Sequence, residues 1–317
     1  MSAEVVIVGS ANQDYIIELD APPEPGQTVL AHRFHTQSGG KGANQAVAAA
    51  RLGSSVRFIA AFGDDAEGAS MLSSLKAEGI DTRQVQILPG ARSGAAFVSV
   101  FPNGENSISV VAGANLGLSE AHVRESLNDV RRGAVVVVQA EVPVAAIQET
   151  LNASQRAGLR CVLNLAPYVP IDERLLRHAD PLVVNESEAS ALISRPVFDE
   201  ASARDAARQL GEIASSVVIT MGAAGAYWLD QKNEGHVSAP SVGSVVDSTG
   251  AGDAFVGTLA ACLAGGGSLS EAVRLGVAAG SFSVMRLGAQ SSYPTANDLR
   301  SHEESKLSPV LQYLPVR

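Results

Sequence analysis

Six short runs of β-branched and other apolar residues, at 5–8, 56–60, 135–138, 161–165, 182–184 and 217–220, recur along the chain with longer alanine- and leucine-rich stretches between them. A strand that is apolar at nearly every position must be covered on both faces, and strands alternating with helices are how a parallel sheet is connected. The intervening stretches at 43–52, 66–78 and 144–157 run into Gly53, Gly79 and Gly158, residues suited to ending a helix with a positive φ. The pattern predicts an α/β fold, a doubly wound and mostly parallel sheet covered by helices. At 317 residues the chain can bury a large core, either as one α/β domain or as two smaller ones.

Two segments break the rhythm. At 14–35 and 93–111 apolar and polar residues tend to alternate with no helix between, the signature of half-exposed antiparallel strands. Turn residues interrupt each, Pro22 to Gly26 in the first and Pro102, Asn103 and Gly104 in the second. Both are expected to form hairpins that make one small β-sheet lid. The predicted division is a lid at 12–37 and 93–112 and a nucleotide- and substrate-binding core at 1–11, 38–92 and 113–317. Glu303 and Glu304 read as a solvated helix face.

Charge excludes some functions. A net charge of −10 with 4% aromatic residues does not suit a surface that tracks nucleic-acid phosphates and stacks bases. No apolar run approaches the roughly 20 residues that cross a bilayer, and Glu4 leads straight into a strand without a basic leader. Cys161 and Cys262 lie in apolar runs and read as reduced, buried thiols. A soluble, cytoplasmic protein without a nucleic-acid or membrane partner is expected.

Chemistry concentrates in two glycine-rich segments. The first is Asp-Ser-Thr-Gly-Ala-Gly-Asp at 247–253, between a strand end and an apolar helix. Backbone N–H groups of Gly250, Ala251 and Gly252 at that helix start would receive phosphoryl oxygens without a lysine. Asp253 either accepts a proton there or simply complements the helix dipole. The second segment is Gly-Gly-Lys-Gly-Ala-Asn-Gln at 39–45. Gly40 lets the backbone approach a ligand, Lys41 favours an anion, and Asn44 offers a donor and an acceptor to a sugar hydroxyl. The alternative is a glycine-rich start to an ordinary helix. Neither a Walker loop nor a three-glycine dinucleotide fingerprint is present. After the first strand Asn12 and Asp14 stand instead, as sugar ligands or, for Asp14, as a turn cap. His32 and His35 have no accompanying ligand cluster and read as exposed strand residues, and Arg131 with Arg132 as a solvated corner.

Together these motifs resemble the ribokinase-type (PfkB) carbohydrate kinase family. One family signature fits 39–63 and the other fits 247–257, in the right order. Shorter matches fall between and after them at Gln139 to Glu141, Asn185 to Glu188, Thr220 to Gly225 and Arg286 to Gln290. The resemblance implies ATP-dependent phosphorylation of D-ribose at its 5-hydroxyl, with Asp253 as base and Gly250, Ala251 and Gly252 as the anion hole. It implies sugar contacts from Asn12, Asp14, Gly40, Lys41, Asn44 and Glu141, with Ala96, Val98 and Ile108 as apolar lid contacts. The ATP site would include Asn185, Thr220, Gly222, Gly225, Gly250 and Gly252, with Val277 beside the base and discrimination among bases loose in consequence. Glu188 would act on magnesium bound with ATP, although Asn185 and Glu188 are also spaced as a helix-capping pair. Potassium would be held by Asp247, Thr249, Ser283, Arg286, Gly288 and Ser292, mostly through carbonyls. A homodimer through the lid is implied as well. Rival readings are a kinase of the same fold for deoxyribose, fructose or a nucleoside, a non-catalytic sensor, and a dinucleotide-dependent oxidoreductase.

Overall fold

The computed structural model describes residues 4–102, 106–302 and 310–314, so Glu303, Glu304, Asn103 and Gly104 lie outside the described residues. Thirteen strands are present among them: β1 (Glu4–Val8), β2 (Asn12–Glu18), β3 (Arg33–Gly39), β4 (Ser55–Gly63), β5 (Asp81–Leu88), β6 (Gly94–Val100), β7 (Asn106–Val111), β8 (Val135–Gln139), β9 (Arg160–Asn164), β10 (Leu182–Asn185), β11 (Val217–Thr220), β12 (Ala226–Leu229) and β13 (Glu234–Val237). The helices are α1 (Lys41–Arg51), α2 (Ala66–Ala77), α3 (Glu120–Leu127), α4 (Val144–Ala157), α5 (Glu173–Leu176), α6 (Glu186–Ile193), α7 (Glu200–Leu210), α8 (Ala251–Ala264), α9 (Leu269–Ser283) and α10 (Ala296–His302).

A nine-stranded sheet runs in the order β13-β12-β11-β10-β9-β8-β1-β4-β5. It is parallel except for β12 and β13 at one edge. The two-residue repeat of a strand sorts its side chains to opposite faces. Val5 and Ile7 of β1 join Val135 and Val137 of β8 in a core cluster with α1, α2, α8 and α9. Val6, Val8, Val136 and Val138 face the other way, into a cluster with α3, α4, α6 and α7. Both faces are therefore covered, as the six apolar runs require. Burial pushes the thiols of Cys161 and Cys262 up to about 12, and both cysteines are free. No helix among the described residues is long and apolar enough to cross a membrane.

The two alternating segments make a separate four-stranded sheet, β3-β2-β6-β7. Each is an antiparallel pair, and β2 joins them by running parallel to β6. In this register Asp14 lies beside Gln37 and Ala96, and Ala96 beside Val110, so these side chains share one face. Tyr15, Phe34 and Phe97 occupy the opposite face, where Tyr15 stacks on both phenyl rings. His35 is exposed on β3 and His32 pairs with Asp20 at 2.9 Å.

Two details position the site. Gln139, Asn164, Asn185 and Thr220 are each the last residue of their parallel strand, so four polar side chains gather at one edge of an apolar sheet. That edge is where open α/β sheets receive ligands. Second, α8 lies so close to α1 that a Cβ on Gly257 would press on Gln45 O and Ala48 Cβ. The missing side chain lets the starts of two helices meet.

Candidate active site

Helix α8 starts at Gly250, whose φ of 76° is the left-handed conformation that glycine adopts without strain. A Cβ there would also run into Tyr293 Oη and Ala289 Cβ. Among the described residues no acceptor takes the N–H of Gly250 or Gly252. The expectation for Ala251 needs correcting, because its N–H closes a turn onto Ser248 O at 3.2 Å and is not free to meet an anion. The N–H groups without an acceptor are those of its neighbours, at the positive end of the helix dipole.

Asp253, in the first turn of α8, is 7% exposed. Its Oδ2 accepts from Asn44 Nδ2 at 3.0 Å and its Oδ1 from Gln45 Nε2 at 2.9 Å. Burial raises its carboxyl above the ordinary carboxylate range, while the Lys41 charge and the two amides act the other way. Reciprocally, Asp253 foremost raises the Lys41 ammonium above its usual value. Both residues line a cavity of about 140 Å³ together with Asn164, Asn185, Glu188, Thr220, Gly250 and Gly252. Gln45 and Asn164, joined at 3.0 Å, received no role from sequence reasoning, although a lone asparagine ending the apolar run of β9 was a readable signal.

Around the start of α1, Glu141 Oε2 accepts from Ser10 Oγ at 2.6 Å and from the Lys41 N–H at 3.0 Å. It thus caps the helix that carries Lys41 and Asn44. Gly40 adopts a φ of 85° against Ala11 and Asn12, where any side chain would collide with backbone. Asp14 packs onto Gly39, and burial followed by the charge of Glu141 raises its carboxyl to about 7. Asn12 is 3% exposed and its Oδ1 accepts from Asn115 Nδ2 at 2.9 Å, a partner that sequence reasoning missed.

Residues 2–296 match the pfkB family carbohydrate kinases. The chain belongs to that family. This kinase is 36% identical over 299 residues to the ribokinase of Haemophilus influenzae, covering 94% of this chain and 97% of that one. It is 34% identical over 301 residues to the deoxyribokinase of Salmonella typhi, covering 94% and 98%. The Arabidopsis thaliana ribokinase solved with ribose and ATP superposes with a TM-score of 0.84 at 30% identity, covering all of both chains. The kinase fold accordingly is the doubly wound sheet, and the chemistry is phosphoryl transfer to a carbohydrate.

Other residues of the kinase fall in less uniform places. Asn185 and Glu188 form a reciprocal capping box, each side chain meeting the other's N–H at 2.8 Å, and both also line the cavity. Burial raises the Glu188 carboxyl above its usual value. Thr220 lines the cavity, but Gly222 and Gly225 do not. Gly225 instead makes room for the Val237 carbonyl of β13, and Gly222 sits in the turn between β11 and β12. Val277 is 5% exposed and packs within the apolar core. Arg131 pairs with Glu4 at 3.0 Å.

The segments expected around potassium do converge. Asp247 Oδ1 accepts from Thr249 N–H and Oδ2 from Gly288 N–H, both at 2.9 Å. The Asp247 N–H reaches Val284 O, next to Ser283, at 3.3 Å, and Arg286 N–H reaches Ser283 O at 3.1 Å. Ser292 Oγ donates to Ala289 O at 2.7 Å, which leaves its lone pairs free to accept. A carboxylate, a hydroxyl and several carbonyls are a donor set that suits a hard monovalent cation.

Proposed function

We propose that this kinase transfers the γ-phosphoryl group of ATP to the 5-hydroxyl of D-ribose, giving ribose 5-phosphate and ADP. The observation that carries the reading is Asp253. It is a buried carboxylate at a helix start, beside free N–H groups and a lysine, at the end of a sheet edge lined with polar side chains. Asp253 accepts the hydroxyl proton as the sugar oxygen attacks phosphorus. The amides of Gly250 and Gly252 meet the charge on the transferring group, and the start of the helix favours it. Asn12, Asp14, Gly40, Lys41, Asn44 and Glu141 bind the sugar hydroxyls. Asn185, Thr220, Gly222 and Gly225 serve the nucleotide. The small sheet acts as a lid at 12–37 and 93–112 that excludes water, with Ala96, Val98 and Ile108 as apolar contacts.

Magnesium, when bound with ATP, neutralises phosphate charge. Glu188, which lines the same cavity, would be the residue that acts on the ion. Asp247, Thr249, Ser283, Arg286, Gly288 and Ser292 would hold potassium, which would supply a fixed positive charge near the anion-binding turn. Exposed Phe34 and Phe97, on the face of the small sheet opposite Asp14, favour a homodimer through it, and two free buried thiols fit a reducing cytoplasm.

A second reading, 2-deoxyribose as substrate, has the Salmonella relative in its favour. Asn12 and Asp14 favour ribose, because a buried hydrogen-bonding group left without a hydroxyl partner is penalised by about 1–3 kcal/mol. ADP release measured over ribose, 2-deoxyribose, fructose and nucleosides tests this, and ribose should have the highest kcat/KM. Equal efficiency with 2-deoxyribose, or a preference for fructose, defeats the ribose assignment. In the same assay sodium substituted for potassium at constant ionic strength should lower turnover, and equal rates would remove the cation site.

A further inference from the structure

Asp253 is the meeting point of two chains of side-chain amides. On one side Gln290 Nε2 donates to Asn44 Oδ1 at 3.0 Å, and Asn44 Nδ2 donates to Asp253 Oδ2. On the other side Gln139 Nε2 donates to Gln45 Oε1 at 2.7 Å, and Gln45 Nε2 donates to Asp253 Oδ1 and to Asn164 Oδ1. Asn164 in turn donates to the Val183 carbonyl at 3.2 Å.

A primary amide offers donors at one end and an acceptor at the other, so turning one reverses what it shows its neighbour. An ionised carboxylate only accepts, and Asn44 and Gln45 must therefore both turn N–H toward Asp253. Their oxygens then need donors, which Gln290 and Gln139 supply. The Val183 carbonyl also only accepts, so it fixes Asn164 with its oxygen toward Gln45.

A second observation marks the arrangement as selected for polarity. Gln139 Oε1 is buried against Gly9 with no hydrogen-bond partner. Buried acceptors are rarely left so. If Gln139 were turned over, its oxygen would face Gln45 Oε1, and Gln45 would have to turn its own oxygen onto Asp253. The unpaired acceptor persists because the opposite polarity would set an oxygen against the carboxylate.

We infer that Gln139 and Gln290 are positioning residues for the base, locking Gln45 and Asn44 with N–H toward Asp253 and so favouring its proton-accepting form. The inference rests on the reading of Asp253 as base. Lys41 from α1, Glu141 beyond β8, Asp14 from β2 and the Tyr293 hydroxyl also act on Asp253 electrostatically. Among the described residues none of these four side chains bonds to the side chain of Gln139 or Gln290.

The test uses Gln139→Glu, Gln290→Glu and the neutral pair Gln139→Met and Gln290→Met in the full-length enzyme. A glutamate only accepts, so it draws the neighbouring amide N–H away and turns an oxygen onto Asp253. The acid limb of kcat/KM against pH should move up by about one unit or more in the glutamate variants. The methionine variants, which remove the donor without adding charge, should move it the same way by less. The carboxyl ¹³C resonance of Asp253, assigned as the signal missing in Asp253→Asn, should titrate at correspondingly higher pH. Gln290 is half-buried, so Gln290→Met still decides the matter where a change at the fully buried Gln139 does not fold. Acid limbs and carboxyl titrations of folded methionine variants that coincide with wild type overturn the inference. A near-normal Asp253→Asn turnover would instead remove the base reading, and the carboxyl titration would still judge the relay.

Discussion

Asp14 combines its proposed sugar-binding role with instability in one side chain. Its carboxyl rises to about 7 in the folded protein, foremost through burial, against an ordinary value of 3.8. A folded value above the unfolded one means that the folded state keeps its proton longer. Asp14 therefore leaves stability intact below about pH 4 and erodes it as pH rises to about 7, by an order of a few kcal/mol at most. Asp14→Asn should raise Tm over wild type at pH 8, with the difference shrinking toward pH 4, while kcat/KM for ribose falls tenfold or more, an estimate from the loss of about one charged hydrogen bond. A pH-independent difference in Tm would contradict the assignment. Asp14, Lys41, Asn44 and Asp253 were legible because each stands in or beside a short motif. The amides that orient Asp253 were not, because Gln139 and Gln45 lie 94 positions apart and Gln290 and Asn44 lie 246 apart. Pairings at such distances leave no local pattern.

At the scale of elements, the start of α8 separates two glycines that look alike in sequence. Gly250 has a φ of 76° and Tyr293 Oη behind it, whereas a Cβ on Gly252 meets nothing within 4 Å and points into open space beside the cavity. Gly250→Ala should lower stability by more than about 1 kcal/mol, since strain and collision add. Gly252→Ala should keep stability within about 1 kcal/mol and yet reduce turnover, as the methyl group occupies phosphoryl space. Thermal melts beside steady-state rates read both, and equal destabilisation by the two variants would contradict this division. The six apolar strands were legible from burial on both faces. Strand β5 was not, because its exposed edge alternates polar residues, and β12 with β13 is a short antiparallel addition that carries no parallel-sheet signature. The spacing of Asn185 and Glu188 allowed two readings, and the structure shows capping and cavity lining by the same pair.

Over the whole molecule, two apolar clusters clamp one sheet, and the polar ends of its parallel strands meet the starts of α1, α6 and α8 at one edge. This convergence explains why glycine-rich segments more than 200 positions apart build one site, with Asn44 bonded to Asp253 across 209 positions. The doubly wound sheet and the separate small sheet were both legible from periodicity; the close approaches around the site were not, since they depend on glycines such as Gly40, against Ala11 and Asn12, and Gly257, against Gln45 and Ala48. We propose that this convergence serves proton removal by Asp253. Asp253→Asn preserves size, and its Tm and ATP binding should stay near wild type. The decisive measurement is single-turnover formation of ribose 5-phosphate by that variant under saturating ribose and ATP. The rate should fall by at least ~10², the lower range for a positioned base, and a rate within a few-fold of wild type would remove Asp253 as the base.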